Sequence, residues 1–329
     1  MMQISPETQL FIREHSSDDV RVLALQAKKY PDIDMPTAIT QIAGRKVAAE
    51  KIPSWWEIEK IWYPKHLSLE QCSSEITARY KARLLQGDSL TDLTGGFGID
   101  CSFLATGFKS ATYVERQEEL CEIAAHNFPV LNLNHINIKN EDGVTYLQAM
   151  SPVDCLFLDP ARRNEHGGKT VAISDCEPNV AELEELLLQK ANRVMIKLSP
   201  MLDLSLALKE LKQTQEVHIL SVSNECKELL ILLGQTSPTE ISIHCVNLST
   251  KGTQEEQHFV FTREQEQCSE CTYTDSLETY LYEPNASLLK AGAFRSIAAA
   301  YPVRKLHPNS HLYTSDTFIE NFPGRIFRI

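Results

Sequence analysis

The 329-residue sequence contains no apolar run long enough to cross a membrane. Its richest stretch, residues 229–233, is only as long as a strand, whereas a membrane helix needs about 18 apolar residues in a row. The N-terminus also lacks the basic-then-apolar pattern of a secretory signal and carries acidic residues early. These absences predict a cytoplasmic protein with no membrane partner.

Metal-binding cysteine patterns are almost absent. Of nine cysteines, only Cys268 and Cys271 form a C-x-x-C, and neither a second pair nor a nearby histidine pair completes a zinc set. The others stand singly, several among apolar neighbours, as Cys155 and Cys245 do, and are interpreted as small buried residues. The sequence therefore predicts a reduced protein without a metal.

An excess of basic charge is absent too, because the net charge is −12. Proteins that follow a nucleic-acid backbone usually carry a basic surface, so nonspecific binding to long nucleic acids is disfavoured. The segment from Thr272 to the end differs, with six Lys and Arg against five Asp and Glu, whereas the remainder holds 26 against 39. This segment is the least unfavourable surface for a phosphate backbone.

The spacing of apolar residues changes twice along the chain. Residues 1 to about 85 show three-to-four spacing broken by prolines, which predicts short helices, and Ser68-Leu-Glu-Gln71 has the form of a capping box that opens another helix reaching Leu85. From Ser89, short apolar strands alternate with amphipathic helices, which predicts a doubly wound parallel sheet with antiparallel pairing at one edge. After a polar stretch, the last part reads as a small α+β domain that is expected to continue beyond the chain end.

The strongest local motif is Thr91-Asp-Leu-Thr-Gly-Gly-Phe-Gly-Ile-Asp100. A strand ends at Asp92, and Gly95, Gly96 and Gly98 form a tight turn into a helix, where glycine permits positive φ or close approach of a ligand. A dinucleotide fingerprint requires a third glycine three residues after Gly98, where this chain has Cys101. The form is instead D-x-x-x-G-x-G.

Further acidic residues follow the next strands at regular distances. Glu115 ends the second strand and can accept hydrogen bonds from both hydroxyls of a ribose. Asp142-Gly143 follows the third strand, and Asp159-Pro160 ends the fourth. Each has a structural explanation as well, since Glu115 can complement a helix dipole and the other two pairs can close a turn or a strand. Together they favour one ligand site at the carboxyl ends of the strands.

Residues 66–235 resemble bacterial class I methyltransferases that carry a THUMP-like C-terminal region. The matching stretches are LSLEQCSSEITARYKARLL, DLTGGFGID, LDPARR, SVSNECKELL and, further on, YEPNASLLKAGAF. The apolar spacing predicts an N-terminal helical domain over 1–70, and the resemblance implies a Rossmann-like α/β methyltransferase domain over 71–250 and a ferredoxin-like or THUMP-like α+β domain over 257–329 that is incomplete at its C-terminus. It also implies the cofactor S-adenosylmethionine.

The predicted site residues form two groups. Those assigned to the cofactor are Gln71, Ser74, Asp92, Thr94, Gly95, Gly96, Phe97, Gly98, Glu115, Arg116, Asp142 and Gly143. Those assigned to catalysis are Asp159, Pro160 and Arg162. Gln71 and Ser74 are included because the segment before the glycine motif closes over the methionine end of the cofactor in related RNA methyltransferases, although a solvated helix face explains them equally well.

Asp159-Pro160-Ala161-Arg162 suggests what is methylated. A carboxylate can orient an amine towards a methyl donor, but Ala161 and Arg162 replace the aromatic residue that stacks on the base in base-amino methyltransferases. Uracil C5-methyltransferases need a cysteine after the fifth strand, where this chain has Lys197-Leu-Ser-Pro200. The preferred hypothesis is methylation of a base nitrogen in structured RNA. The alternatives are a small-molecule or protein methyltransferase, which the acidic charge suits better, and a cofactor-binding protein without catalysis.

Overall fold

The computed structural model describes residues 4–162, 172–236, 238–250 and 256–329. The chain divides into two compact units, Met1–Phe157 and Leu158–Ile329, which are described separately. The described helices include none that is long and apolar enough to span a membrane.

The first unit begins with short helices, as the prolines predict. Those before the glycine motif are α1 (Pro6–Glu14), α2 (Val20–Leu25), α3 (Met35–Lys51), α4 (Pro53–Trp56), α5 (His66–Gln71) and α6 (Glu75–Ala82). Local capping explains where several begin: Ser5, Asp19 and Asp34 each accept a backbone N–H of the following turn. Phe11, Leu23 and Ile42 form a buried cluster among these helices.

The predicted capping box at Ser68 is wrong. Ser68 lies inside α5, which already begins at His66, and the chain breaks between Gln71 and Glu75 before α6 starts. The break has a physical reason, because Ser73 turns inward and bonds to buried charged groups described below. Two short helices therefore replace one continuous helix.

Alternating strands and helices complete the first unit. They are β1 (Ser89–Asp92), α7 (Ile99–Ala105), β2 (Ser110–Glu115), α8 (Glu118–Val130), β3 (Ile136–Asn140), α9 (Gly143–Ala149) and β4 (Val153–Leu158). The strands are parallel and lie in the order β4-β1-β2-β3, so the chain reverses its direction of progress across the sheet at β1. Open α/β sheets bind ligands at such a reversal, beyond the carboxyl ends of the strands.

The second unit continues with β5 (Ala161–Arg162), β6 (Cys176–Glu177), α10 (Val180–Lys190), β7 (Ala191–Leu198), α11 (Leu204–Glu210), β8 (Thr214–Val222), β9 (Glu225–Gly234), β10 (Ser242–Leu248) and β11 (Gln257–Thr262). The last five strands lie in the order β11-β10-β8-β9-β7. Strand β9 is antiparallel to both its neighbours, and β10 is parallel to β8. The parallel sheet of the first unit and the five-stranded mixed sheet of the second unit (the large sheet), with their alternating helices, confirm the predicted α/β fold class.

The remaining elements are α12 (Arg263–Cys268), β12 (Tyr280–Pro284), α13 (Ala286–Ala291), α14 (Phe294–Ala300), β13 (Arg304–Lys305), β14 (Tyr313–Ser315) and β15 (Gly324–Arg328). The four strands form a small antiparallel sheet in the order β13-β14-β12-β15. Helices α13 and α14 are separate because Gly292 adopts a positive φ of 76° and ends α13. Strand β11, which begins the predicted domain 257–329, pairs with β10 in the large sheet.

Candidate active site

The glycine motif forms a turn between β1 and α7. Asp92 is almost fully buried at the end of β1, and its Oδ1 accepts a hydrogen bond of 2.9 Å from the Thr94 N–H. Gly96 and Gly98 have positive φ values of 53° and 86°, which glycine adopts readily. A Cβ on Gly96 would have only the Thr94 carbonyl oxygen within 4 Å, at 3.8 Å. The backbone at Gly96 is therefore open to a ligand.

Strand β2 holds this turn in place. The Gly95 N–H donates to the Val114 carbonyl at 2.8 Å, and the Gly96 N–H donates to Glu115 Oε2 at 2.9 Å. The Tyr113 hydroxyl donates to the Gly96 carbonyl. Burial, with a smaller effect of the Glu115 charge, raises the pKa of Tyr113 well above its ordinary value, so this hydroxyl remains a donor at neutral pH. The turn is thus fixed before any ligand binds.

Glu115 sits at the tip of β2, as the sequence predicts. Its Oε1 accepts the Gln117 N–H at 2.9 Å, so each carboxylate oxygen already receives one backbone hydrogen bond. A carboxylate oxygen has capacity for a second donor. The residue is 8% exposed, which is enough for contact with a ligand but excludes most competing water. Glu115 can therefore accept the hydroxyls of a ribose that lies beside Gly96.

The loop after β3 lies against the same turn. Asp142 caps α9, with Oδ1 accepting the N–H groups of Val144 and Thr145, both at 3.0 Å. A Cβ on Gly143 would lie 2.2 Å from the Leu93 carbonyl oxygen, so only glycine allows this approach. The structure therefore gives Asp142 and Gly143 structural roles and brings Gly143 against Leu93, just before the glycine turn; their contact with the cofactor stays a prediction.

Asn140 is a residue that sequence reasoning missed. Its side-chain amide, at the end of β3, donates to the carbonyl oxygens of Glu115 and Arg116 at 3.0 and 3.1 Å. These bonds fix the backbone that carries the Glu115 carboxylate. The sequence could have indicated this role, because Asn140 is a side-chain amide at the end of β3, the strand beside β2.

Other predicted cofactor residues occupy different environments. Phe97 is buried and packs edge-on against Trp55 with ring centroids 5.2 Å apart, so its side chain belongs to the core beneath the turn. Arg116 is exposed immediately after Glu115. Gln71 is exposed at the end of α5, and Ser74 is half-buried at the break before α6. Their contact with a cofactor stays a prediction.

A buried charged cluster joins the segment before β1 to the glycine motif. Lys81 is fully buried in α6, and its Nζ lies 2.9 Å from Oδ1 of Asp100 in the first turn of α7. Ser73 connects the two, donating to Asp100 Oδ2 at 2.7 Å and accepting from Lys81 Nζ at 2.8 Å. The cluster positions the break at Cys72–Ser74 relative to the helix that follows the glycines. Its members are separated in sequence, so their pairing could not be predicted.

Replacing Lys81 by methionine is expected to lower the free energy of unfolding by about 3–5 kcal/mol, because the Asp100 charge would lose its buried partner. Urea unfolding of the purified chain measures this loss. Lys60→Met, at an exposed position, is the control and should change little. Adding Asp100→Asn to Lys81→Met should recover part of the loss, and full stability of the single variant would contradict the buried ion pair.

Two adjacent glycines allow a matched comparison. A Cβ on Gly95 would come within 2.3 Å of the Tyr113 ring, so Gly95→Ala is expected to destabilise the fold by about 1–3 kcal/mol. Gly96→Ala meets no such overlap and should cost only about 1–2 kcal/mol for its positive φ. Its methyl group would instead occupy the open side of the turn. Thermal unfolding with and without S-adenosylmethionine should show that Gly96→Ala loses the ligand-induced stabilisation; an unchanged ligand effect would contradict the assignment.

The predicted catalytic residues lie in the second unit. Asp159 follows β4 and is partly exposed, and its Oδ2 accepts a hydrogen bond from the Nζ of Lys197 on β7, whose side chain is 10% exposed. Pro160 is buried. Arg162 pairs through its backbone with Cys176, while its side chain lies outside the described part of the chain. Lys197, which was not assigned to the site from the sequence, thus fixes the orientation of the Asp159 carboxylate.

The turn fits the nucleoside part of S-adenosylmethionine. The open backbone at Gly96 accommodates a closely approaching group, and the Glu115 carboxylate retains capacity for ribose hydroxyls. Both are held rigidly by β2 and by Asn140. These are features that the cofactor site of a class I methyltransferase requires.

The comparisons with known proteins agree with that class. Residues 280–323 match a family model described as a ferredoxin-like domain. A presumed methyltransferase from Porphyromonas gingivalis W83 is 35% identical with a TM-score of 0.87, and the match covers 100% of this chain and 83% of that one. None of the curated proteins matches the chain.

More distant structures share only part of the fold. An rRNA methylase from Streptococcus thermophilus is 14% identical, with a TM-score of 0.34 over 48% of this chain and 93% of that one. A presumed methyltransferase from Streptococcus mutans, solved in complex with SAH, is 13% identical, with a TM-score of 0.35 over 49% of this chain and 96% of that one. At these scores neither bears on the substrate of this chain.

The chain belongs to the family of the Porphyromonas gingivalis protein, class I methyltransferases with a ferredoxin-like C-terminal domain. The cofactor of this class is S-adenosylmethionine. The predictions of the enzyme class, its fold and its cofactor are thereby confirmed.

Proposed function

We propose that this methyltransferase acts on a base nitrogen of structured RNA. The observation that carries the proposal is the Asp159 carboxylate, which directly follows β4, precedes the buried Pro160 and is oriented by Lys197. In class I methyltransferases the methyl acceptor binds at this strand end. We therefore assign Asp159 to contact with the acceptor, and Lys197 to positioning the Asp159 carboxylate.

A carboxylate at this place suits a nitrogen acceptor. S-adenosylmethionine supplies the methyl group as an electrophilic sulfonium. Asp159 would accept an N–H of the acceptor and so direct the nitrogen lone pair, and in-line displacement depends mainly on such alignment. Because Lys197 restrains the carboxylate, little orientational freedom is lost when the acceptor binds.

Methylation of a pyrimidine at C5 is disfavoured by the burial of Cys226 and Cys245. That chemistry requires a thiolate that attacks the base first. Burial raises the pKa of the Cys226 thiol to about 11 and that of Cys245 further, so both remain protonated at neutral pH. After β7 the chain reads Ser199-Pro200, without a cysteine.

The ferredoxin-like domain supports RNA as the class of substrate. The segment from Thr272 carries six basic against five acidic residues, whereas the remainder has a net charge of −13 (26 minus 39). On β15, Phe327 is 44% exposed and the Arg325 guanidinium lies 5.9 Å from the centre of its ring. Exposed aromatic rings beside arginine suit stacking on unpaired bases. Arg325 also pairs with Glu283, so stacking rather than net charge is the contribution expected here.

A small molecule or a protein side chain is the second candidate acceptor. The observation in its favour is the net charge of −12, which opposes association with a polyanion.

The test isolates RNA from cells with the gene and from cells without it. Each RNA is then incubated with the purified enzyme and radiolabelled S-adenosylmethionine, and the label transferred to the RNA is compared. Label is expected only in RNA from the deletion strain, and nuclease digestion should release it as an N-methylated nucleoside. The same assay with protein and with small-molecule fractions from the deletion strain tests the second candidate. Label confined to either fraction, or a carbon-methylated nucleoside, would exclude the proposed acceptor.

A further inference from the structure

Three side chains with metal-binding atoms lie together on one face of the large sheet in the second unit. Glu216 and His218 are two residues apart on β8, and His244 lies on the neighbouring β10. In the parallel register of these strands, His244 is opposite His218 and Ser242 is opposite Glu216. Because side chains two residues apart point to the same face, this register places all three on one side of the sheet.

Their distances suit a shared cation. One ligand atom from each residue lies within 4.8 Å of the other two, and Glu216 Oε2 is 3.3 Å from His218 Nε2. Tetrahedral zinc with bonds of about 2.0 Å separates its ligand atoms by about 3.3 Å. The rings of His218 and His244 are stacked 4.3 Å apart, so binding requires a ring to rotate about its side-chain bonds and bring its nitrogen towards the common centre.

A neighbouring arginine orients the Glu216 carboxylate. The Arg193 guanidinium lies 3.2 Å from Glu216 Oε1 and thereby turns Oε2 towards His218.

We propose that Glu216, His218 and His244 bind one divalent transition-metal ion, with zinc as the preferred occupant. Two imidazoles and one carboxylate are a common ligand set for zinc, and hard cations such as magnesium prefer oxygen alone. The ion would enter from the side of His258, which is exposed on β11 and whose Nε2 lies 3.1 Å from His244 Nδ1. It would link β8 to β10 and stabilise this part of the sheet, independently of the methyl-transfer site.

The test is titration of the metal-free full-length chain with Zn²⁺, followed by calorimetry and by metal analysis after dialysis. One equivalent is expected to bind, and thermal unfolding should shift upward by several degrees, because a ligand that binds only the folded state stabilises it. His244→Ala should lower the affinity at least about 100-fold and remove the shift. Glu216→Gln, which preserves the side-chain size, should also weaken binding. His307→Ala, an exposed histidine of the same unit, is the matched control and should bind like the parent.

Cobalt distinguishes this site from the cysteines. Co²⁺ bound by nitrogen and oxygen shows visible d–d bands without the intense near-ultraviolet absorption of a cobalt–thiolate bond. Equal zinc binding by the parent and His244→Ala, or thiolate absorption that disappears in Cys268→Ser, would overturn the proposal. Circular dichroism of each variant separates loss of the ligand from loss of the fold.

Discussion

Asp159→Ala is expected to lower the rate of methyl transfer by about 10²–10⁴-fold, the range for a positioned group that handles an N–H of the substrate. Affinity for S-adenosylmethionine should remain unchanged, because Asp159 is assigned to the acceptor. Single-turnover transfer to RNA from the deletion strain measures the rate, and calorimetry measures cofactor binding.

A second variant of Asp159 is needed, because Asp159→Ala also removes the partner of the nearly buried Lys197 ammonium. Asp159→Asn preserves the shape of the side chain, and we expect it to fold normally while remaining slow. Asp32→Ala, an exposed aspartate of the N-terminal segment, serves as the control. If Asp159→Asn methylates RNA at the parental rate, the acceptor binds elsewhere.

Glu115→Ala is expected to weaken S-adenosylmethionine binding by at least about tenfold, since hydrogen bonds to a charged group contribute about 1.5–3 kcal/mol. Part of the loss should be indirect, because the Glu115 carboxylate also accepts the Gly96 N–H and fixes the turn. Glu115→Gln retains one acceptor oxygen and should fall between the parent and the alanine variant. Calorimetry with S-adenosylmethionine gives the three affinities.

Glu118→Ala is the control for this series, because Glu118 is exposed in the first turn of α8, three residues further along the chain. Its affinity for S-adenosylmethionine should equal that of the parent. Equal affinities for Glu115→Ala and the parent would remove Glu115 from the cofactor site and leave it only the role of holding the turn.

The sequence predicted the large sheet well for physical reasons that act locally. Strands β7 and β9 contain the short apolar runs 194–196 and 229–233, and each strand lies between segments with turn or helix signals. The prediction was wrong at Ser68 because the capping-box pattern spans only four residues. Tertiary contacts, on which such a pattern carries no information, decided where the helices begin and end. Phe97 was assigned to the cofactor by its place in the motif, and the structure adds that its side chain packs against Trp55; its contact with the cofactor stays a prediction.

By itself, the sequence determined the alternation of strands and helices, the glycine turn after β1 and the acidic tips of β2, β3 and β4, because each depends on residues close together in the chain. Only the tertiary structure decided how Lys81 meets Asp100, Lys197 meets Asp159 and His218 meets His244. These partners are far apart in sequence, and strand register and helix packing bring them together. Local propensity carries no information about such pairings.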